Sequence, residues 1–321
     1  MVGRHVTYCT YCMNAFSEGR ACPACGQLPE NYISAPYQLS AGTILVGRYL
    51  LGRVLGEGGF GITYLAFDLK EGRKVGIKEH FPRDKVRRMD MGATVLDTHM
   101  GSDPDAFQKG KARFLEEART LASVSHIPQI IRVLNWFETN NTAYIVMEYV
   151  EGITLTQWVA RRGGSIPARE LLPMMEELFK AISQIHEQGL IHRDISPDNV
   201  MLADGQLRLL DFGVSREVGR RTETLTMTLR HGYAPVEQYQ PMGQGPWTDV
   251  YALSATIYFC LTGKKPPHAL ERLCEDKLVT PIRAGADLTH KQEQVLLYGM
   301  GVRPRRRFQS VEAMANELYK V

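Results

Sequence analysis

The sequence predicts an α+β protein of two lobes, because strand-like patterns dominate its first half and helical patterns its second half. Runs rich in β-branched and aromatic residues, such as 62–67 and 75–78, flank turns in the first half. Apolar residues recur at helical spacing over 171–188 and 249–261 in the second half. This order indicates two lobes with a cleft between them, preceded by a short cysteine-rich head.

Length and composition are those of an ordinary globular protein. The chain has 321 residues, of which 44% are hydrophobic and 23% are charged, and a net charge of +3. So small a charge does not favour a nucleic acid or an anionic membrane as partner. No run of 18 apolar residues predicts a transmembrane helix, and the N-terminus lacks the apolar core of a signal peptide. We therefore expect a cytoplasmic protein.

Two Cys-x-x-Cys pairs predict a small zinc ribbon over residues 1–30. Each pair can give two thiolates to one metal ion, and four thiolates complete a tetrahedral, structural Zn²⁺ site. About 30 residues cannot build a core, so the metal would supply folding energy. Redox pairs and an iron–sulfur centre stay open as alternatives. The predicted zinc ligands are Cys9, Cys12, Cys22 and Cys25.

The ribbon has few cations, so we expect it to contact protein, or this chain itself, rather than nucleic acid. Residues 31–47 lack periodicity and are predicted to be a linker. Strands are then expected at 49–51, 62–67 and 75–78, a helix over 106–124, and a strand pair around the turn Asn140-Asn141. The helices predicted in the second half cover 171–188, 249–261, 293–300 and 311–319.

Residues 56–61, Gly-Glu-Gly-Gly-Phe-Gly, form a G-x-G-x-x-G pattern between two predicted strands. A dinucleotide-binding fingerprint has the same glycines but needs a helix directly after them. Because a strand follows here, we expect a hairpin whose backbone amides can approach phosphate oxygens. A glycine-rich hairpin without a ligand is the alternative.

Lys78 ends a predicted buried strand, where an ammonium group is costly unless it is paired. Phosphate groups of a bound ligand and a carboxylate on the next helix would pair it. We predict Glu117 as that carboxylate, because Glu116 lies about 100° away around the helix. A lysine exposed at the end of a strand is the alternative.

The segment 191–199, Ile-His-Arg-Asp-Ile-Ser-Pro-Asp-Asn, is the most informative motif, and Asp211-Phe212-Gly213 follows it. Asp194 can orient a hydroxyl nucleophile, while Asn199 and Asp211 can hold magnesium against phosphates. This order and spacing predict phosphoryl transfer from ATP.

Together these motifs resemble those of the eukaryotic-like (Hanks-type) protein kinases, in particular the bacterial serine/threonine kinases. The resemblance covers 48–321 and implies a bilobal protein-kinase fold, with an N-lobe at 48–147 and a C-lobe at 151–321. It further implies ATP bound at the hinge, Mg²⁺ or Mn²⁺ as cofactor, and a Ser or Thr hydroxyl of a protein substrate as acceptor.

The roles that the resemblance implies fall into four groups. Asp194 would be the catalytic base, and Lys78 with Glu117 the activating ion pair. Asn199 and Asp211 would bind magnesium. The residues implied in ATP binding are Leu55, Gly56, Gly58, Gly59, Gly61, Thr63, Lys78, the gatekeeper Met147, and the hinge residues Glu148 and Val150. Structural roles are implied for Asp249, which would hold the catalytic loop, and for the ion pair of Glu237 and Arg307.

Four departures from the family pattern stand out. Ser196 occupies the place of a lysine that contacts the γ-phosphate, and Arg230 or His231 is a candidate replacement cation. Val236 is inserted in the usual Ala-Pro-Glu motif. The segment 80–105 is an insertion, with a hairpin expected near Gly92. The fourth departure is Thr63, which replaces a valine that packs on adenine.

The segment between Asp211 and Glu237 is rich in threonine. A phosphate there could pair with Arg193, so we predict autophosphorylation, through a transient homodimer, at Thr222, Thr224, Thr226 or Thr228. A polar loop that is never modified is the alternative. For the whole protein, a pseudokinase that signals as a nucleotide-binding scaffold is the rival hypothesis, and a kinase of small molecules is a third.

Overall fold

The computed structural model describes residues 7–16, 21–59, 61–88, 94–98, 104–210, 216–217, 230–239 and 243–320. These residues form two compact units. The first unit contains the described residues up to 122 together with 132–149, and the second contains 123–131 and the described residues from 150 onward.

The first unit is built on a six-stranded antiparallel sheet with strand order β3-β4-β5-β6-β10-β9. Two hairpins, β1–β2 and β7–β8, accompany the sheet. Its helix is α1, Pro104–Ser123. The strands are β1 (Thr7–Tyr8), β2 (Ala15–Phe16), β3 (Ile44–Leu45), β4 (Tyr49–Gly58), β5 (Gly61–Asp68), β6 (Arg73–His80), β7 (Val86–Arg88), β8 (Leu96–Thr98), β9 (Val133–Thr139) and β10 (Thr142–Glu148).

A buried polar cluster ties the predicted insertion 80–105 to this sheet. Glu79 on β6 forms an ion pair with Arg88 on β7, and both side chains are fully buried. The hydroxyls of Tyr64 and Tyr144 each donate to Glu79 at 3.0 Å. Because a buried carboxylate needs such partners, the β7–β8 hairpin is fixed to the sheet by its arginine.

The segment 31–47, predicted as a linker, is instead an integral part of the first unit. Leu39 and Leu45 are buried in its core, and β3 forms the edge of the large sheet. A strand of two residues shows no periodicity, which explains why the sequence pattern did not reveal it.

The second unit is mainly helical, as the sequence predicts. Its central helix, α5, is buried along most of its length. Two small sheets, β11-β13-β14 and β12-β15, accompany the helices. The helices are α2 (Leu155–Arg161), α3 (Ala168–Glu187), α4 (Val236–Tyr239), α5 (Pro246–Thr262), α6 (Ala269–Cys274), α7 (His290–Gly299) and α8 (Val311–Tyr319), and the strands are β11 (Ile153–Thr154), β12 (Leu190–Ile191), β13 (Val200–Ala203), β14 (Gln206–Leu209) and β15 (Arg216–Glu217). Among the described residues, no helix combines the length and the apolar character needed to cross a membrane.

Candidate active site

The loop 192–199 of the second unit is held by one buried carboxylate. Asp249 on α5 accepts hydrogen bonds from the amides of His192 at 2.7 Å and Arg193 at 2.8 Å. His186 at the end of α3 contacts the same carboxylate at 2.8 Å. Burial acts to raise the pKa of Asp249, but the hydrogen bonds from His186 and the Arg193 amide hold it below its usual value. The loop is therefore fixed by a charged acceptor.

Arg193 itself has φ of 70°, a left-handed conformation that is strained for a residue with a side chain. Its amide is bound by Asp249, and its carbonyl accepts from the side chain of Gln238 at 2.8 Å. These two contacts hold the strained residue directly before Asp194, which fixes the direction in which the loop presents that aspartate.

Asp194 and Asn199 lie side by side, as their spacing predicts. The Asn199 side-chain amide donates to the Asp194 carbonyl at 2.8 Å and to its Oδ2 at 2.7 Å. The Asn199 Oδ1 atom, the possible metal ligand, instead accepts from Arg230 at 2.9 Å. The pair thus presents a carboxylate and an amide oxygen together.

Arg230 contacts three side chains of this loop. Its Nε donates to Asp194 Oδ1 at 3.0 Å, and its Nη1 donates to Asp198 Oδ2 at 3.2 Å. Ser196, two residues after Asp194, is fully buried. Arg230 therefore places a positive charge directly beside the Asp194 carboxylate.

In the first unit, the structure brings Lys78 and Glu117 together. Lys78 Nζ lies 3.6 Å from Glu117 Oε1, and the two side chains are 18% and 8% exposed. Thr63 of β5 and Ile145 of β10 pair with Lys78 across the sheet. The sequence prediction of Glu117 rather than Glu116 agrees with this geometry.

The glycine-rich segment forms a hairpin between β4 and β5, with Gly58 paired to Gly61. A side chain at Gly61 would collide with the carbonyl oxygen of Glu79, so packing requires a glycine there. A Cβ at Gly56 or Gly58 would meet open space. Packing therefore does not explain these two glycines, whereas close approach of a ligand to the backbone would.

The remaining predicted ATP-binding residues flank this hairpin and the end of β10. Leu55 is half-buried on β4, just before Gly56, and Gly59 is in the turn. Met147 is 4% exposed near the end of β10. Glu148 ends β10, and its carboxylate accepts from the Arg132 amide at 3.0 Å. Val150, in the second unit, follows two residues later.

Several predicted residues lie outside the described part of the chain. They are the magnesium ligand Asp211 and the phosphorylation sites Thr222, Thr224, Thr226 and Thr228. The residue before Asp211 is described: the Leu210 amide donates to the Asn199 carbonyl at 2.8 Å.

The predicted structural ion pair is fully buried. Arg307 Nη1 and Nη2 donate to the two carboxylate oxygens of Glu237 at 2.7 and 3.0 Å, and neither side chain is exposed. Thr248 also donates to Glu237 at 3.1 Å. The Val236 insertion therefore leaves Glu237 in a bidentate contact with Arg307.

The four N-terminal cysteines converge on one point. All their Sγ atoms lie within 4.8 Å of one another, with 3.7 Å between Cys9 and Cys25 and 3.6 Å between Cys12 and Cys22. A tetrahedral Zn²⁺ with bonds of about 2.3 Å places its sulfur ligands about 3.8 Å apart. The donor set thus fits a zinc ion.

The first cysteine turn packs against the strand that leads into the glycine-rich hairpin. The Arg53 amide donates to the Thr10 carbonyl at 2.8 Å, and the Arg53 Nε donates to the Tyr11 carbonyl at 2.9 Å. Gly52 has no room for a side chain beside Met13. The cysteine-rich segment therefore contacts this chain itself, on β4.

Sequence reasoning missed three residues that fix the loop 192–199. They are His186, which contacts Asp249, Gln238, which contacts Arg193, and Thr156, whose hydroxyl donates to Asp198 at 2.7 Å. Each is more than 40 positions from its partner, and none belongs to a motif, so no local signal could have revealed them.

Comparisons with known proteins agree on one family. The sequence profile described as "Protein kinase domain" matches residues 49–294. Serine/threonine-protein kinase PknB of Mycolicibacterium smegmatis is 30% identical over 293 residues, which cover 86% of this chain and 43% of PknB. Serine/threonine-protein kinase PknA of Mycobacterium tuberculosis is 33% identical over 70% of this chain and 49% of PknA. The chain thus spans less than half the length of these relatives.

Solved structures show the same fold. The structure described as PpkA-294 in its apo form is 31% identical and superposes with a TM-score of 0.75, covering 88% of this chain and 99% of that chain. The kinase domain of Mycobacterium tuberculosis PknI, 24% identical with a TM-score of 0.63, shows likeness of fold alone.

Proposed function

The chain belongs to the protein kinase family, and from this premise we propose that it transfers the γ-phosphoryl group of ATP to serine or threonine hydroxyls of protein substrates. The observation that carries the proposal is the paired geometry of Asp194 and Asn199 on a loop fixed by Asp249. PknA and PknB, which are named serine/threonine-protein kinases, support the choice of acceptor.

In this proposal Asp194 accepts the proton of the substrate hydroxyl and orients its oxygen. Asn199, together with Asp211, would hold Mg²⁺, which neutralises phosphate charge when bound. Lys78, oriented by Glu117, would bind the α- and β-phosphates, and the open backbone at Gly56 and Gly58 would approach them. The proposal thus gives each of these five side chains a task, whereas a nucleotide-binding scaffold would not need the full set.

The test is transfer from labelled ATP, with magnesium, to a generic basic protein. The wild type should label serine or threonine in the acceptor. Lys78→Met should lower the rate about 10²- to 10³-fold, since it removes a preorganised cation, and Lys74→Met on the same strand should change little. ATP binding without any transfer by the wild type would instead favour the scaffold hypothesis.

Phosphosite mapping of the same sample examines Thr222, Thr224, Thr226 and Thr228, whose phosphates would pair with Arg193.

We further propose that the four-cysteine cluster holds a structural Zn²⁺ and supports strand β4. Four thiolates leave no position open for a substrate, so a catalytic metal is not expected. The contacts of Thr10 and Tyr11 with Arg53 connect the Cys9–Cys12 turn to β4. Because so short a segment folds by binding metal, loss of zinc should release these contacts.

Purified protein should contain about one zinc ion per chain, and Cys22→Ser should lose it. The melting temperature should fall with the metal, and proteases should cut within 7–30 more readily. Cys274→Ser is the matched control, because Cys274 is exposed and distant in sequence from the cluster. A visible absorption band from iron and sulfide, or full stability without metal, would contradict the zinc assignment.

A further inference from the structure

Arg230 lies outside the catalytic loop, yet its guanidinium group binds the residues expected to carry out the transfer. Its three nitrogen atoms donate to Asp194 Oδ1 at 3.0 Å, to Asn199 Oδ1 at 2.9 Å and to Asp198 Oδ2 at 3.2 Å. Two carboxylates and one amide oxygen thus share a single cation. The side chain is 37% exposed, so part of the guanidinium can still be reached from solvent.

Ser196 leaves a charge missing from the loop. During phosphoryl transfer negative charge is spread over the oxygens of the transferring group, and fixed cations stabilise it. Ser196 is buried and neutral, where the resembling kinases have a lysine. Arg230 reaches the carboxylate of the same Asp194 from a different part of the chain, and can therefore supply the charge that Ser196 does not.

The backbone of Arg230 is held in place by a packed turn. Its carbonyl accepts from the amides of Tyr233 at 3.0 Å and Ala234 at 2.9 Å. Tyr233 is buried in the core of the second unit. Gly232 has φ of 88°, and a Cβ there would lie 2.7 Å from the carbonyl oxygen of Pro266. A cation on such a turn is preorganised, which is the property that makes electrostatic stabilisation effective.

We propose that Arg230 is the cation that stabilises the transferring phosphoryl group, in place of the lysine replaced by Ser196. This inference rests on the proposed kinase function. In the step, the acceptor oxygen bonds to the γ-phosphorus, the bond to the β–γ bridging oxygen breaks, ADP leaves with that electron pair, and Asp194 takes the proton. Nε would keep the Asp194 carboxylate oriented, while Nη2, which donates to Asn199 Oδ1 in this structure, would turn to a phosphoryl oxygen when ATP is bound.

The first test compares Arg230→Met and Arg230→Lys with the wild type. Arg230→Met should lower kcat about 10²- to 10³-fold, because a transition-state contact is lost. The KM for ATP should change less than about threefold, because the interactions that bind ATP before the reaction are retained. Arg230→Lys should keep part of the rate. The matched control is Arg162→Met, which removes an arginine that is 47% exposed and paired with Glu170 in the same unit.

Two further measurements distinguish an electrostatic role of Arg230 from a purely structural role. Ser196→Lys, added to Arg230→Met, returns a cation to the loop that carries Asp194 and should recover the rate at least about tenfold, as charge replacement predicts. Independently of turnover, aluminium fluoride with magnesium and acceptor should tighten ADP binding to the wild type, because it imitates the planar phosphoryl group. That tightening should be lost in Arg230→Met, while binding of ADP alone stays the same.

An unchanged rate in Arg230→Met, beside an active wild type, would overturn this inference and leave the proposed function standing. A faster rate would also overturn it, since Arg230 would then inhibit the transfer by occupying Asp194 and Asn199. A wild type that binds ATP but never transfers phosphate would overturn both proposals.

Discussion

Replacing Asp194 by asparagine should lower the rate of phosphoryl transfer by about 10³-fold, within the range of 10²- to 10⁴-fold that a positioned acid–base group contributes. Asparagine keeps the shape of the side chain but cannot accept the proton of the substrate hydroxyl. Both carboxylate oxygens of Asp194 are engaged, Oδ1 by Arg230 and Oδ2 by Asn199, so the carboxylate is held in one orientation.

The substitution also has a local structural consequence. Both neighbours of the carboxylate are donors, so the new amide nitrogen must face either the Asn199 amide or the Arg230 guanidinium. One lost hydrogen bond of this kind costs about 1–3 kcal/mol. We therefore expect a small fall in the melting temperature together with the loss of rate.

Kinetics and binding should be measured on the same sample. The Kd for ATP should remain near the wild-type value, because the proposed role of Asp194 concerns the acceptor hydroxyl and not ATP. Asp204→Asn is the matched control: Asp204 lies in the exposed turn between β13 and β14 with φ of 49°, which asparagine tolerates well. Transfer by Asp194→Asn at more than a tenth of the wild-type rate would show that another group takes the proton.

The sequence alone predicted those parts of the site that local pattern and motif spacing determine. Lys78 and Glu117 were paired on the basis of a strand and a helix, and the structure places them 3.6 Å apart. The cysteine spacing likewise predicted a single cluster. In both cases the chemistry of the residue types favours the pairing, since a carboxylate stabilises a buried ammonium group and two Cys-x-x-Cys pairs can surround one metal ion.

Other parts depend on contacts that no local pattern reveals. The packing of 31–47 depends on a strand of two residues and two buried leucines. The sequence suggested Arg230 or His231 as the replacement cation but could not choose between them. The choice depends on the turn at Gly232 and Tyr233, whose packing within the second unit is a tertiary contact.

Replacing Arg307 by methionine should destabilise the second unit by about 3–5 kcal/mol, the typical cost of leaving a buried charge without its partner. The Glu237 carboxylate would keep only Thr248 as a side-chain donor among the contacts described here. Each of the five N–H groups of Arg307 has its own acceptor: two carboxylate oxygens of Glu237 and the carbonyls of Gly301, Val302 and Trp247. The three carbonyls would also lose their donor.

Thermal and denaturant unfolding measure this effect. The melting temperature should fall by roughly 10 °C, since 1 kcal/mol corresponds to about 2–4 °C in a domain of this size. Arg162→Met again serves as control, because its exposed ion pair with Glu170 should contribute no more than about 1 kcal/mol.

The double variant Glu237→Leu with Arg307→Met tests the physical reason. If the cost comes from an unpaired buried charge, removing both charges should restore much of the stability, because the two substitutions are then strongly non-additive. If the cost comes from the lost donors to the three carbonyls, the double variant should be no more stable than Arg307→Met. A single variant as stable as the Arg162→Met control would mean that this ion pair, although fully buried, does not hold the second unit together.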